Sequence, residues 1–146
     1  MKLSKDDNQV IDRAKSLIKE YGENAKTLSG DQLLGINDRL AVCYAYLSEI
    51  ESERNREYAM SYRNRLMVKS SVIAMAISEG NAVTKAQTES DNDPEVAQAR
   101  FTEITDSYLA ETVQNLLKSI DRIIRACGYR LQYLYREQKN LETNHK

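Results

Sequence analysis

Residues that interrupt helices are scarce in this chain. It contains one Pro and five Gly among 146 residues. Between positions 95 and 141 the sequence has no Pro and a single Gly, Gly128. Sheets need frequent turns, which Gly and Pro usually supply, whereas long helices exclude both residues from their interiors. The composition therefore predicts an all-α fold.

Residues that catalyse reactions or bind metals are also scarce. The one His is His145, and the two cysteines, Cys43 and Cys127, lie far apart with no CxxC pair. Carboxylate-bridged iron in a helical bundle needs Glu-x-x-His on two helices, and a nucleophile needs a neighbouring base. Neither arrangement occurs, and no glycine-rich phosphate loop is present. We predict that the chain is not an enzyme and holds no metal or cofactor.

Long apolar runs and a strong charge bias are missing too. No segment is long and apolar enough for a transmembrane helix, and the first residues lack the apolar stretch of a signal peptide. We therefore expect a cytoplasmic protein with reduced thiols and no membrane partner. The 21 basic and 22 acidic residues give a net charge of −1, so nucleic-acid binding can only be argued from local clusters of cations.

A short helix opens the predicted fold. Ser4 and Asp7 have the spacing of a capping box, and apolar residues then recur at helical intervals over about 6–21. We expect Gly22 to end this helix. The rest of the single predicted domain, 1–146, consists of two much longer helices.

The two long helices are predicted over about 30–79 and 94–141, with a polar loop over 80–93 between them. Asp93 and Pro94 have the residue types typical of an N-cap and a first helical residue. A helix of about fifty residues is roughly 75 Å long, too long for a domain of this size to enclose. We therefore expect the two helices to pack as an antiparallel hairpin, and roughly 70% or more of the chain to be helical.

Such a hairpin fixes which residues face each other. If the chain turns around the loop, the numbers of facing residues sum to about 173. Cys43 then lies opposite about position 130, close to Cys127. We predict neighbouring reduced thiols in one layer of the core rather than a disulfide.

Several apolar side chains lie away from the seams of this hairpin. Two packed helices bury only one stripe each, so another element or another subunit must cover the remainder. Tyrosine, which suits interfaces that are partly wet, supplies nearly all the aromatic residues. We expect a homo-oligomer in which a second subunit covers Val42, Tyr46, Ile73, Met75 and Ile77.

Cations line one face of the last helix, opposite its apolar stripe. With Tyr129 they form what we call the basic strip: Lys118, Arg122, Arg125, Tyr129, Arg136 and Lys139, with Gln132 also on this face. The strip is about 32 Å long. Such a strip suits a phosphate backbone, and Tyr129 offers a stacking surface to an unpaired base. The alternative is a solvated face, or one that pairs with an acidic neighbour.

A second cluster of cations lies on the first long helix. It consists of Arg54, Arg56, Arg63, Arg65 and Lys69, interleaved with Tyr58 and Tyr62. Glu53 and Glu57 have the spacing for ion pairs with these arginines. The two tyrosines fit the hairpin seam better than a ligand platform, so we treat this cluster as the weaker candidate for nucleic acid.

The order of these features resembles the phage recombination mediators, a UvsY-like family. A long charged helix ends at Ile77-Ser-Glu-Gly80, a polar acidic loop follows over 85–92, and the next helix contains LLKSIDRIIRACGY at 116–129. The resemblance implies a small helical protein of phage origin that forms rings in the bacterial host cytoplasm. It also implies binding to single-stranded DNA and help in loading a recombinase onto strands covered by single-strand-binding protein.

Two functions therefore remain open. The first is an oligomeric, non-enzymatic accessory protein of phage-type DNA recombination or replication that binds single-stranded DNA weakly. The second is a protein-only helical interaction module, acting as an assembly adaptor or as an inhibitor of a partner protein.

Overall fold

The chain is helical almost throughout. A computed structural model describes residues 4–144, with side chains to position 141. It contains four helices: α1 Lys5–Asn24, α2 Gly30–Ser78, α3 Val83–Ser90 and α4 Pro94–Asn144. Of the described residues 91% are helical and none is in a strand, which confirms the all-α prediction. His145 lies outside the described residues.

Helix α1 begins at the predicted capping box. The Ser4 hydroxyl accepts the Asp7 N–H at 3.0 Å, and the Asp7 carboxylate accepts the Ser4 N–H at 2.9 Å. The prediction that Gly22 ends α1 is wrong, because the helix continues through it to Asn24. A glycine costs a helix only about 1 kcal/mol, and the buried face of α1 offsets that cost.

Both long helices begin at side-chain caps. Ser29 and Gln32 form a capping box, with N–H to side-chain distances of 2.9 and 3.3 Å. The Asp93 carboxylate accepts the Glu95 N–H at 2.8 Å, and Pro94 follows as the first helical residue. These caps explain why the predicted starts of α2 and α4 agree with the structure.

Gly80 ends α2 in a left-handed turn. Its φ is +94°, a conformation that side chains with a Cβ rarely adopt. Two hydrogen bonds complete a Schellman motif: Gly80 N–H to the Ile77 carbonyl at 3.0 Å, and Asn81 N–H to the Ala76 carbonyl at 3.1 Å.

The segment predicted as a polar loop, 80–93, contains a helix. Within it α3 spans Val83–Ser90, and Ala86 and Ser90 are buried. The prediction was wrong here because a helix of eight residues has too few apolar positions to show a clear period. Tertiary contacts supply the stability instead: the Asp91 carboxylate, next to α3, accepts hydrogen bonds from Lys69 of α2 (2.9 Å) and Arg100 of α4 (2.8 Å).

The helices form two compact units, through both of which α2 and α4 run. The turn unit is Glu51–Thr112, and the terminal unit contains the described residues up to Ile50 and from Val113. The long helices pack against each other as the predicted hairpin. In the turn unit Arg65 of α2 pairs with Glu103 of α4. Their numbers sum to 168, close to the expected 173.

The terminal unit contains the larger apolar core. Its buried members come from α1, the linker after it, α2 and α4: Ile11, Ala14, Leu17, Leu28, Leu33, Ile36, Leu40, Cys43, Leu47, Ile50, Val113, Leu117, Ile120 and Cys127. Both cysteines are free thiols in this one cluster, in agreement with the prediction of reduced thiols in the core. Burial raises the pKa of each thiol.

Candidate nucleic-acid interface

The basic strip lies on the outer face of α4 in the terminal unit. Val113, Leu117, Ile120 and Cys127 of α4 are buried against the core, so the residues on the opposite side of the helix face solvent. All six predicted residues of the strip are exposed. The sequence therefore placed the strip on the correct face of the helix.

The cations of the strip differ in how far the protein neutralises them. Arg125 pairs with Asp121 one turn earlier, at 3.0 Å between guanidinium and carboxylate. Lys118 donates a hydrogen bond to the neutral Gln114 amide oxygen at 3.2 Å. Within the described part of the chain, Arg122 and Arg136 have no ion-pair partner. The strip thus keeps most of its positive charge available to a ligand.

The two tyrosines next to this face have different environments. Tyr129 is 72% exposed, which leaves its ring accessible to a base. Tyr133, one turn further on, donates a hydrogen bond to Glu137 at 2.6 Å. That hydrogen bond, followed by the charge of Glu137, raises the pKa of the Tyr133 hydroxyl. Tyr133 is therefore oriented by Glu137, whereas Tyr129 is the better stacking platform.

Arg130 lies in the same stretch of α4 but serves the fold. Its guanidinium donates a hydrogen bond to the Lys26 carbonyl at 2.7 Å, which ties α4 to the linker after α1. Its Nε is buried without a hydrogen-bond partner. The two residues are 104 positions apart, and no sequence pattern signals this contact. Sequence reasoning left Arg130 out of the strip, and the structure supports leaving it out of the candidate site.

Most of the second cation cluster is committed to ion pairs within the turn unit. Arg54 is 4% exposed and pairs with Glu57 at 2.6 Å. Arg65 pairs with Glu103 and lies over the Tyr62 ring, 5.4 Å from its centroid. Lys69 donates to Asp91, as described above. These pairs neutralise the cations inside the protein, so the cluster is a poor phosphate site.

The described residues contain no group of three or more His, Cys, Asp or Glu side chains placed to hold a metal ion. None of the described helices combines the length and apolar character needed to cross a membrane. A groove of about 600 Å³ in the turn unit is lined by Met60 and by charged and polar side chains, among them Glu53, Arg56 and Asp106. Ser61, which also lines this groove, donates a hydrogen bond from its hydroxyl to the Tyr58 carbonyl at 3.0 Å.

Comparison of the chain with protein-family models, with curated proteins and with solved structures finds no match. The assignment of a function therefore rests on the geometry of the strip and of the remaining surface.

Proposed function

We propose that the chain is a non-enzymatic, self-associating accessory protein that binds single-stranded nucleic acid through the basic strip. The observation that carries this proposal is the strip itself: five exposed cations and an exposed tyrosine follow one face of α4 over about 32 Å. With a net charge of −1 for the whole chain, this local concentration of cations is the feature that most favours a polyanion.

The strip suits a single strand for two reasons. Phosphates lie along a flexible backbone that can follow a straight row of cations, and each contact releases a condensed counterion. A single strand also offers unstacked bases, which aromatic side chains bind without sequence preference. Each contact lowers the slope of log K against log salt concentration by about 0.7, so the four cations other than Arg125 give about −2.8, and all five give about −3.5.

The biological setting we propose is phage-type DNA recombination or replication in a host cytoplasm. Its support is the resemblance of the helix order and of 116–129 to the recombination mediators, together with the strip. On this proposal the protein associates with itself and helps to load a recombinase onto strands covered by a single-strand-binding protein.

The test is binding of a dye-labelled single-stranded oligonucleotide, followed by fluorescence anisotropy over a series of salt concentrations. Replacing Arg122 and Arg125 by Glu should abolish most of the binding and leave helicity unchanged, since both side chains are exposed. Arg56→Glu with Arg63→Glu makes the same charge change on exposed cations of α2 and serves as the matched control. The proposal fails if wild-type protein does not bind at low salt, or if both double variants lose binding equally.

Tyr129→Ala separates stacking from charge. Loss of the ring should weaken binding by roughly 1–3 kcal/mol while the salt slope stays the same. A change in slope instead would mean that Tyr129 positions a cation rather than a base.

The second candidate function is a protein-only helical interaction module. It is favoured by the exposed apolar side chains of α2 and α4, such as Met67 at 63% and Phe101 at 67%. A stoichiometric complex with another protein, unaffected by oligonucleotide and by charge reversal in the strip, would establish this function in place of the first.

A further inference from the structure

The turn unit has small and polar residues inside and large apolar residues outside. Its buried hydrophobic side chains are Ala86, Val96, Ala99 and Ala110, and its buried polar ones are Arg54, Ser61, Ser90 and Asp106. Burying a large apolar side chain or a valine stabilises a fold by about 1.5–3 kcal/mol, and burying an alanine stabilises it by much less. Three alanines and one valine therefore contribute little. The interior of this unit alone is a weak source of stability.

Three large apolar side chains of α4 in this unit point away from that interior. Phe101, Ile104 and Tyr108 recur at steps of three and four residues and are 67%, 61% and 69% exposed. This spacing is that of a seam between packed helices. In the turn unit the stripe has the period of a helix interface but no helix of the described chain covers it.

Apolar side chains of α2 continue the same surface. A groove of about 290 Å³ is lined by Tyr58 of α2 together with Ile104 and Tyr108 of α4, which places them on one side of the hairpin. A different groove is lined by Met60 of α2 and Thr102 of α4, so the opposite side is distinct. We call the first side the aromatic face. By helical spacing Tyr62 and Leu66 follow Tyr58 on α2, and Phe101 precedes Ile104 and Tyr108 on α4. The exposed members of the face are therefore Tyr58, Tyr62, Leu66, Phe101, Ile104 and Tyr108.

The size of the aromatic face is that of an interface. Its six side chains range from 36% to 69% exposed. At roughly 200 Å² for each large side chain, their accessible area is on the order of 600 Å². This reaches the upper end of the apolar patches of monomeric proteins, about 300–600 Å². A standard interface buries about 800 Å² on each partner, so the six side chains alone supply about three quarters of that area.

We propose that a second copy of this chain packs on the aromatic face, so that two turn units together form a four-helix bundle. A unit with so small an interior needs its outer apolar face covered whenever it is folded. Only an identical chain is always present in equal amount, and a two-fold axis lets one surface cover itself. The inference gives a location to the self-association in the proposed function, and it does not depend on nucleic-acid binding.

The test compares the assembly state of exposed-site variants by analytical ultracentrifugation and native mass spectrometry at about 10 μM, because standard-size interfaces have dissociation constants from micromolar to picomolar. Wild-type protein should have a mass of two chains of 16.7 kDa or a multiple of it. Ile104→Asp should lower that mass to the next smaller species, because a charge would be desolvated at the interface. Met67→Asp is the matched control, since Met67 is 63% exposed and lies one heptad from Met60 of the opposite side.

Circular dichroism and a milder variant keep the test decisive if Ile104→Asp fails to fold. Ile104→Ala should remain helical and raise the dissociation constant of the dimer about tenfold, as expected for a truncated apolar anchor. A wild-type monomer at every concentration up to about 100 μM would overturn the proposal for an interface of this size. Dissociation by Met67→Asp but not by Ile104→Asp would overturn it as well.

Oligonucleotide binding distinguishes this inference from the proposed function. If Ile104→Asp becomes monomeric and still binds oligonucleotide with the wild-type salt slope per chain, the interface is supported separately from the strip. If wild-type protein assembles through the aromatic face but binds no oligonucleotide, the interface stands and the proposed function fails.

Discussion

Replacing Asp121 by Asn should make the protein bind single-stranded nucleic acid more tightly. Asp121 is the acid that pairs with Arg125 of the basic strip, at 3.0 Å. The two side chains are 43% and 70% exposed, so the pair contributes at most a few tenths of a kcal/mol to folding. Removing the carboxylate therefore leaves the helix intact and makes the Arg125 guanidinium available to a phosphate.

The size of the effect follows from counterion release. One additional contact steepens the salt slope by about 0.7. If the variant and the wild type bind equally at 1 M salt, the variant should bind about eightfold tighter than the wild type at 50 mM salt and about threefold tighter at 200 mM. The gain in affinity should therefore be larger at low salt, which a general improvement in folding would not produce.

The measurement is fluorescence anisotropy with a labelled single-stranded oligonucleotide between about 50 and 400 mM salt, a range over which the slope is measurable. Asp38→Asn is the control, because it removes one exposed acid from α2 and changes the net charge by the same amount. Equal gains for both variants would show that only net charge matters. An Asp121→Asn variant with wild-type affinity and slope would show that this part of α4 does not contact phosphate.

Three further predictions concern the fold and are checked by chemical or thermal unfolding. Gly80→Ala should destabilise the fold by about 1–2 kcal/mol, because position 80 has a positive φ. Gly22→Ala, inside α1 with open space around it, should stabilise the fold by about 0.5–1 kcal/mol. Changes in stability of the same sign for both variants would contradict the assigned helix ends. Ile120→Ala, in the core at 0% exposure, should cost about 2–5 kcal/mol, and a cost below 1 kcal/mol would mean that this core is loosely packed. Since burial raises the pKa of the Cys43 and Cys127 thiols above 9.0, their contribution to stability is complete below pH 9.0 and is lost as pH rises above it through the folded-state pKa values. Replacing both cysteines by Ala should therefore flatten the decline in stability above pH 9.0.

The helix boundaries could be predicted wherever one side chain determines them locally. The caps at Ser4 and Asp93 each act within a few residues, and both have the predicted role in the structure. The Ser29 cap and the left-handed turn at Gly80 act just as locally. The error at Gly22 has a different origin. Glycine permits a helix to end but does not force it, and the outcome depends on packing that a local pattern does not contain.

The site could be predicted in its placement but not in its pairing. Helical periodicity alone separates buried from exposed positions on α4, because a stripe on one side implies an outer face on the other. The contacts of individual cations depend on distant residues: Arg65 pairs with a residue 38 positions away. Arg54 is a second example. It lies in a charged stretch of the sequence, which suggests an exposed side chain, but in the turn unit it is buried.

On the proposed function, the two groups of cations explain how a chain with a net charge of −1 binds a polyanion. In the turn unit Arg54, Arg65 and Lys69 are each paired with a carboxylate, so their charge is cancelled within a few ångströms. In the strip Arg125 pairs with Asp121, whereas Arg122 and Arg136 have no carboxylate partner among the described residues. Because the net charge of the whole molecule is close to zero, the protein attracts a polyanion little at distances beyond the Debye length, about 8–10 Å. Binding must then arise from direct contact with the strip, which is why a single neighbouring acid such as Asp121 is expected to have a measurable effect.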